Sequence, residues 1–253
     1  MTYLMNHPLL VFALAFVVLL LSELIGVFLL RKQGGLEESA REQFGVIQTA
    51  ALTLLGLIIG FSFSMAISRY DQRKNYEEAE ANAIGTEYVR ADLLPPADAA
   101  RVRALLKTYV DQRLLFYVAR DGQQLQRIDA YTGRLQAELW SAVRAPAMAQ
   151  PTQVIALAVS GMNDVLNAQG YTQAAWWNRI PVSAWGLVAG IAICCHLLLG
   201  DCAHKTNTIL FLVFALVVSI SIFLIADIDS PRGGVIRVLP QNQAALSRSL
   251  QAY

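Results

Sequence analysis

Apolar positions fall into four long runs, 9–30, 46–68, 181–199 and 208–226, each long enough to cross the ~30 Å hydrocarbon layer of a bilayer as a helix. The second run is the one around which the rest is arranged. TAALTLLGLIIGFSFSMAIS passes directly into RYDQRKNYEEAEANAIGTEYVR, and no proline interrupts 48–90. At ~1.5 Å per residue this predicts one helix that spans the membrane and continues ~30 Å beyond it. At ~100° per residue, Thr49, Thr53, Gly56, Gly60 and Ser64 share one side of that helix, bordered by Leu57 and Phe61. Gly56 and Gly60 form a GxxxG spacing that admits a close neighbour. The stripe fits either a packing seam or a pore-lining face.

Between the second and third runs the period changes. Val102, Leu105, Leu106, Tyr109, Val110, Leu114 and Tyr117 recur every three or four residues, predicting a helix from about Ala99 to Arg120 after the Pro95–Pro96 stop. Leu125, Ile128, Leu135, Leu139 and Ala142 predict a second helix ending before Pro146. Ile155, Ala158, Met162, Val165 and Leu166 predict a third, opened by Pro151. Arg101, Arg103, Lys107 and Arg113 are assigned to the wet face of the first. The fold class is therefore all-α: a four-span helical membrane protein with a long second helix and an extramembrane helical domain between spans 2 and 3. The expected divisions are a transmembrane hairpin at 1–68, the helical domain at 69–175, a second hairpin at 176–229 and a tail at 230–253. The tail reads as extended or weakly helical and is expected to lie on the helical domain.

Composition sharpens this picture. The 253 residues are 55% hydrophobic and 15% charged, which excludes an ordinary soluble domain. The net charge of +1 gives no reason to expect nucleic acid as a partner. The N-terminus has no Lys or Arg before the first run, so that run reads as a retained span rather than a cleaved signal. HExxH, GxSxG and P-loop signatures are missing from the sequence, so an enzyme is not expected.

Candidate chemistry sits at the edges and in one span. Glu23 is a carboxylate inside apolar sequence, costly unless paired; it is either functional or satisfied by Ser22 or a neighbouring helix. Cys194, Cys195, His196, Cys202 and His204 cluster near one boundary. Cys194 and Cys195 point ~100° apart on a helix and no finger spacing is present, so no metal site is expected. Trp176, Trp177 and Arg179 precede the third span as interfacial anchors. Asp227 and Asp229 end the fourth span at the negative end of a helix, which requires a donor or a cation, with Arg232 the nearest candidate.

The segment GFSFSMAISRYDQRKN, from Gly60 to Asn75, resembles the end of the second span in bestrophins, and RALLKTYV is similar to that family's next helix. The run from Phe61 to Pro95 and DIDSPRGG resemble still more closely the bestrophin-like family of bacterial membrane proteins. The resemblance implies a homopentamer in the bacterial inner membrane, with five copies of the second span around an ion pathway for small anions. It also implies a constriction corresponding to Thr53, Leu57 and Phe61; by their chemistry the Thr53 and Ser64 hydroxyls offer dipoles to a passing ion without fixed charge. The family's calcium clasp is a dense acidic run, of which only Asp227 and Asp229 remain, so no cofactor is expected. Basic residues flanking the spans favour a cytoplasmic helical domain, although Arg31 and Lys32 after the first span argue the reverse. The competing function is a non-conducting membrane scaffold or sensor whose helical domain binds a protein partner.

Overall fold

A computed structural model describes residues 6–32, 38–200 and 208–252, with the backbone alone for 30–32, 38–42 and 208. The described residues are mainly helical, with no strand among them: α1 (Pro8–Lys32), α2 (Glu38–Arg90), a 3-10 turn (Ala91–Leu93), α3 (Pro96–Val118), α4 (Gly122–Ala149), α5 (Gln153–Trp177), α6 (Val182–Leu199), α7 (Thr208–Asp229) and α8 (Gln241–Gln251). Among the described residues four helices are long and apolar enough to cross a membrane: α1, α2, α7 and one within Gln153–Leu199 whose apolar part is α6. α2 is a single helix of 53 residues. It begins at Glu38, eight residues before the apolar run, so the polar stretch 38–45 ahead of that run is helix as well. Gly34, Gly35 and Glu37 lie outside the described residues.

Local chemistry sets the boundaries. Pro96 opens α3, where its missing N–H costs nothing. The Asp121 carboxylate accepts from the Gln124 N–H at 3.0 Å and caps α4; the Thr152 hydroxyl accepts from the Ile155 N–H at 3.2 Å and caps α5. α4 does not stop before Pro146 but carries it in its last turn to Ala149. Few backbone bonds remain to be lost that close to a helix end.

The chain forms two compact units. The first comprises residues 1–69 and 179–237, so both hairpins and the start of the tail cluster together. In it α1 packs against α6 and α7. Gly26 lies directly on the Leu197 backbone and Gly200 on the backbone of Gly26 and Val27, leaving no room for a Cβ at either position. Phe12 on α1 meets Phe223 on α7 edge to face, centroids 6.1 Å apart.

The second unit comprises residues 70–178 and 238–253. α3 packs against α4 and α8, and α4 against α5. Ile84, Leu106, Tyr109, Leu139, Val143, Ala158, Met162 and Val165 form its main core. Phe116, Tyr117 and Trp176 form a second cluster of mutually edge-on rings. Trp176 is thus a core residue and not an interfacial anchor, while its neighbour Trp177 is exposed. The tail is helical from Gln241. Glu77 on α2 accepts from the Gln243 N–H at 2.9 Å and from Asn242 Nδ2 at 2.7 Å, placing a carboxylate at the positive end of α8.

Candidate functional site

The membrane half of α2 has two distinct faces. Gln48, Leu55, Ser62 and Ala66 are buried, and by helix geometry they share one side. The other side carries Thr53, Leu57, Phe61 and Ser64, all exposed, with Leu57 at 52% and Phe61 at 64%. Gly56 and Gly60 flank it, and beyond chain neighbours and the helix's own backbone no described atom lies within 4 Å of a Cβ built on either. The GxxxG pair therefore takes no part in packing among the described residues of its own chain; Gly26 and Gly200 perform that role.

Exposure alone does not set this face apart, because α1 and α7 also expose apolar side chains. The chemistry does. The exposed large residues of α1 are Leu, Val, Ile and Phe, and so are those of α7, as expected against lipid tails. On α2 two hydroxyls and two glycines interleave with Leu57 and Phe61. The Thr53 hydroxyl donates to the Thr49 carbonyl at 2.9 Å and the Thr49 hydroxyl to the Gly45 carbonyl at 2.8 Å. Each oxygen is left with free acceptor capacity toward its surroundings.

Glu23 is buried on α1, and the neighbouring helix answers it: His196 on α6 places Nε2 3.7 Å from Glu23 Oε1. Ser22 is not the partner, since its hydroxyl donates to the Val18 carbonyl at 2.8 Å. His196 was grouped by sequence with the cysteines; of those, Cys202 and His204 lie outside the described residues. Among the described residues no three His, Cys, Asp or Glu side chains converge as metal ligands.

Asp227 and Asp229 are both buried and both engaged. Asp227 accepts from the Val235 N–H and the Ile236 N–H, each at 2.7 Å. Asp229 accepts from the Ile180 N–H at 3.0 Å and lies 3.7 Å from Arg69 Nη1. The Pro-Arg-Gly-Gly turn makes this possible, because a Cβ at Gly234 would strike the Asp227 carbonyl and one at Gly233 the Asn6 carbonyl. Backbone amides from two segments and one guanidinium thus supply the positive partners that the helix end requires.

The sequence reading missed the buried charges of the helical unit. Arg113, assigned to a wet face, is fully buried against Glu80. Arg73, also buried, donates from Nε to the Ala175 carbonyl at 3.2 Å. Glu87 is fully buried, with no hydrogen-bond partner on either oxygen among the described residues.

A family model described as a bestrophin-like domain matches residues 10–243. A crystal structure of a bacterial bestrophin homolog from Klebsiella pneumoniae, phased with zinc, is 15% identical over 93% of this chain and 96% of its own, with a TM-score of 0.65. Two point variants of a bestrophin homolog from the same organism give 13% identity over 95% and 96% with a TM-score of 0.69, and 14% over 94% and 98% with a TM-score of 0.65. At that identity the likeness establishes the fold. No curated protein matches the chain.

Proposed function

We propose, from the premise that this chain belongs to the bestrophin-like family, that it is an oligomeric ion channel whose second spans surround a central pathway for small inorganic ions. The oligomer is a homopentamer in the bacterial inner membrane, with the helical unit in the cytoplasm. Family membership supports a channel that passes small anions.

One observation carries the placement of the pathway. The α2 face bearing Thr53, Leu57, Phe61 and Ser64 is left uncovered by the described residues of its own chain, and it is chemically unlike the exposed sides of α1 and α7. Leu57 and Phe61 lie about one turn apart, and rings of them narrow a pore by dewetting. Thr53 and Ser64 offer hydroxyl dipoles without fixed charge. No Lys or Arg lies in 46–68, and between 69 and 175 Lys plus Arg equal Asp plus Glu in number. Selectivity is therefore weak. Asp227 and Asp229 hold the span end through amides, so gating by calcium forms no part of this reading.

The test is current across a planar bilayer in a chloride gradient, with Phe61→Ala recorded beside the parent. Discrete currents that grow or lose gating in the variant support the channel and its constriction. Silence from both proteins, as intact oligomers, moves the reading to the scaffold. Labelling of a cysteine introduced at the exposed Gln124 from outside intact cells would reverse the orientation.

A further inference from the structure

Within the four apolar runs, Glu23 is the only carboxylic acid and His196 the only base. They come from sequence positions far apart, and the fold sets them face to face. Both are buried, Glu23 at 6% exposure and His196 at 0%, with Oε1 of one 3.7 Å from Nε2 of the other. Neither facing atom has a hydrogen-bond partner among the described residues.

The imidazole is held from behind. His196 Nδ1 lies 2.7 Å from the Ala192 carbonyl, and a carbonyl only accepts, so Nδ1 carries a hydrogen. The neutral ring then presents a lone pair at Nε2 to Glu23. An ionised Glu23 facing that lone pair sets two acceptors against each other in an apolar layer. A pair carrying two protons leaves an imidazolium with no counter-charge. One proton on either facing atom removes both problems, giving a neutral acid donating to the ring or an imidazolium paired with a carboxylate.

We infer that Glu23 and His196 together form a proton-binding site, holding one proton inside the membrane-spanning bundle and coupling the packing of α1 on α6 to its occupancy. The frame around the pair is tight. Gly26, three residues after Glu23, lies on the Leu197 backbone, and Gly200, four after His196, lies on Gly26. The Phe214 ring of α7 covers the imidazole with centroids 5.0 Å apart. Among the described side chains of the spans other titratable groups are few: α6 adds the thiols of Cys194 and Cys195, α7 none over 209–226, and α2 none over 46–68. The inference holds whether or not the oligomer conducts.

The experiment is thermal unfolding of the purified full chain in detergent from about pH 4 to about pH 9, compared with Glu23→Gln and His196→Gln as differences from the parent. Taking differences cancels titration elsewhere in the molecule. Gain or loss of a proton leaves net charge in the apolar layer, so in the parent this site contributes an acid arm and an alkaline arm, each lowering the melting temperature by about 3 °C. Glu23→Gln donates an amide N–H to Nε2 without titrating and loses the alkaline arm. His196→Gln donates to the carboxyl group and loses the acid arm. Difference curves that are flat, or the same for both variants, overturn the site. Nitrogen-15 spectra of histidine in the parent provide a check free of substitutions: a His196 ring protonated at Nδ1, with Nε2 shifted by a shared proton, is expected, and an Nε2-protonated neutral ring overturns it.

Discussion

Arg113 donates from Nε to Glu80 Oε1 at 2.5 Å and from Nη2 to Oε2 at 3.3 Å, with both side chains closed off from solvent. Burial works against the charge on Arg113, and the adjacent Glu80 carboxylate more than offsets it, so the guanidinium stays protonated. The Thr172 hydroxyl from α5 donates to Glu80 Oε2 at 2.9 Å, so the group joins α2, α3 and α5. Arg113→Met leaves a buried carboxylate without its cation and is expected to destabilise the helical unit by ~3–5 kcal/mol. Adding Glu80→Met recovers most of that loss. Chemical denaturation of the single and double variants measures both quantities, and additive losses would show that the two charges are not coupled.

Glu87 makes the same unit sensitive to pH. Its carboxyl group faces Gly161 on α5, where an added Cβ would meet Glu87 Oε2 and the Arg90 side chain. Burial pushes its pKa up to about 8, with Arg90 opposing that shift and Asp164 adding to it. The folded state therefore keeps a proton that the unfolded chain releases near its ordinary value of about 4.5. Stability falls as pH rises from about 4.5 to about 8, then levels. Glu87→Gln is expected to flatten that slope and raise the melting temperature at neutral pH by several degrees. An unchanged slope in the variant would place the titration elsewhere.

These buried charges also mark where sequence reading ended. Long apolar runs announce α1, α2, α6 and α7 through length alone, and proline and capping residues fix most boundaries. Arg113 was assigned to solvent by residue type, although its position, four after Tyr109 and four before Tyr117, lies on the face that the apolar spacing had already buried. The same spacing places Arg73, Glu77, Glu80, Ile84 and Glu87 along the inner side of α2. Periodicity thus held the burial, but not the partners. Glu80 is answered from 33 and 92 residues away and Glu77 from the tail, and no local pattern encodes such pairings. His196 follows the same logic: its neighbours in sequence are thiols, whereas a carboxyl group faces it across the helix pair.

Asp227 yields a test of the span end. Its two oxygens satisfy two backbone N–H groups, so Asp227→Ala strands two donors and is expected to cost ~2–4 kcal/mol. Asp227→Asn keeps one acceptor and costs less. Because both aspartates already have partners, millimolar calcium or its chelation is expected to leave the melting temperature and any current unchanged. A calcium-dependent rise in melting temperature would reinstate a cation site there.

The two flanks of the α2 stripe separate assembly from conduction. Helix geometry puts Gly56 and Gly60 on one side of the Thr53–Ser64 line, with Leu57 and Phe61 on the other. Beyond its neighbours and the helix's own backbone, a Cβ built on either glycine meets no described atom within 4 Å, so a larger side chain there does not disturb the fold of the single chain. If the glycine flank receives the second span of the next subunit, Gly56→Leu blocks a close helix approach, and the oligomer is lost while the monomer melts as before. Leu57→Ser changes the other flank. It leaves assembly intact and wets the constriction, raising open-state current or leak several-fold. Oligomer mass in detergent and single-channel recording, applied to both variants, read the two effects separately. Loss of assembly in Leu57→Ser with intact assembly in Gly56→Leu would exchange the two roles and put the pathway on the glycine side.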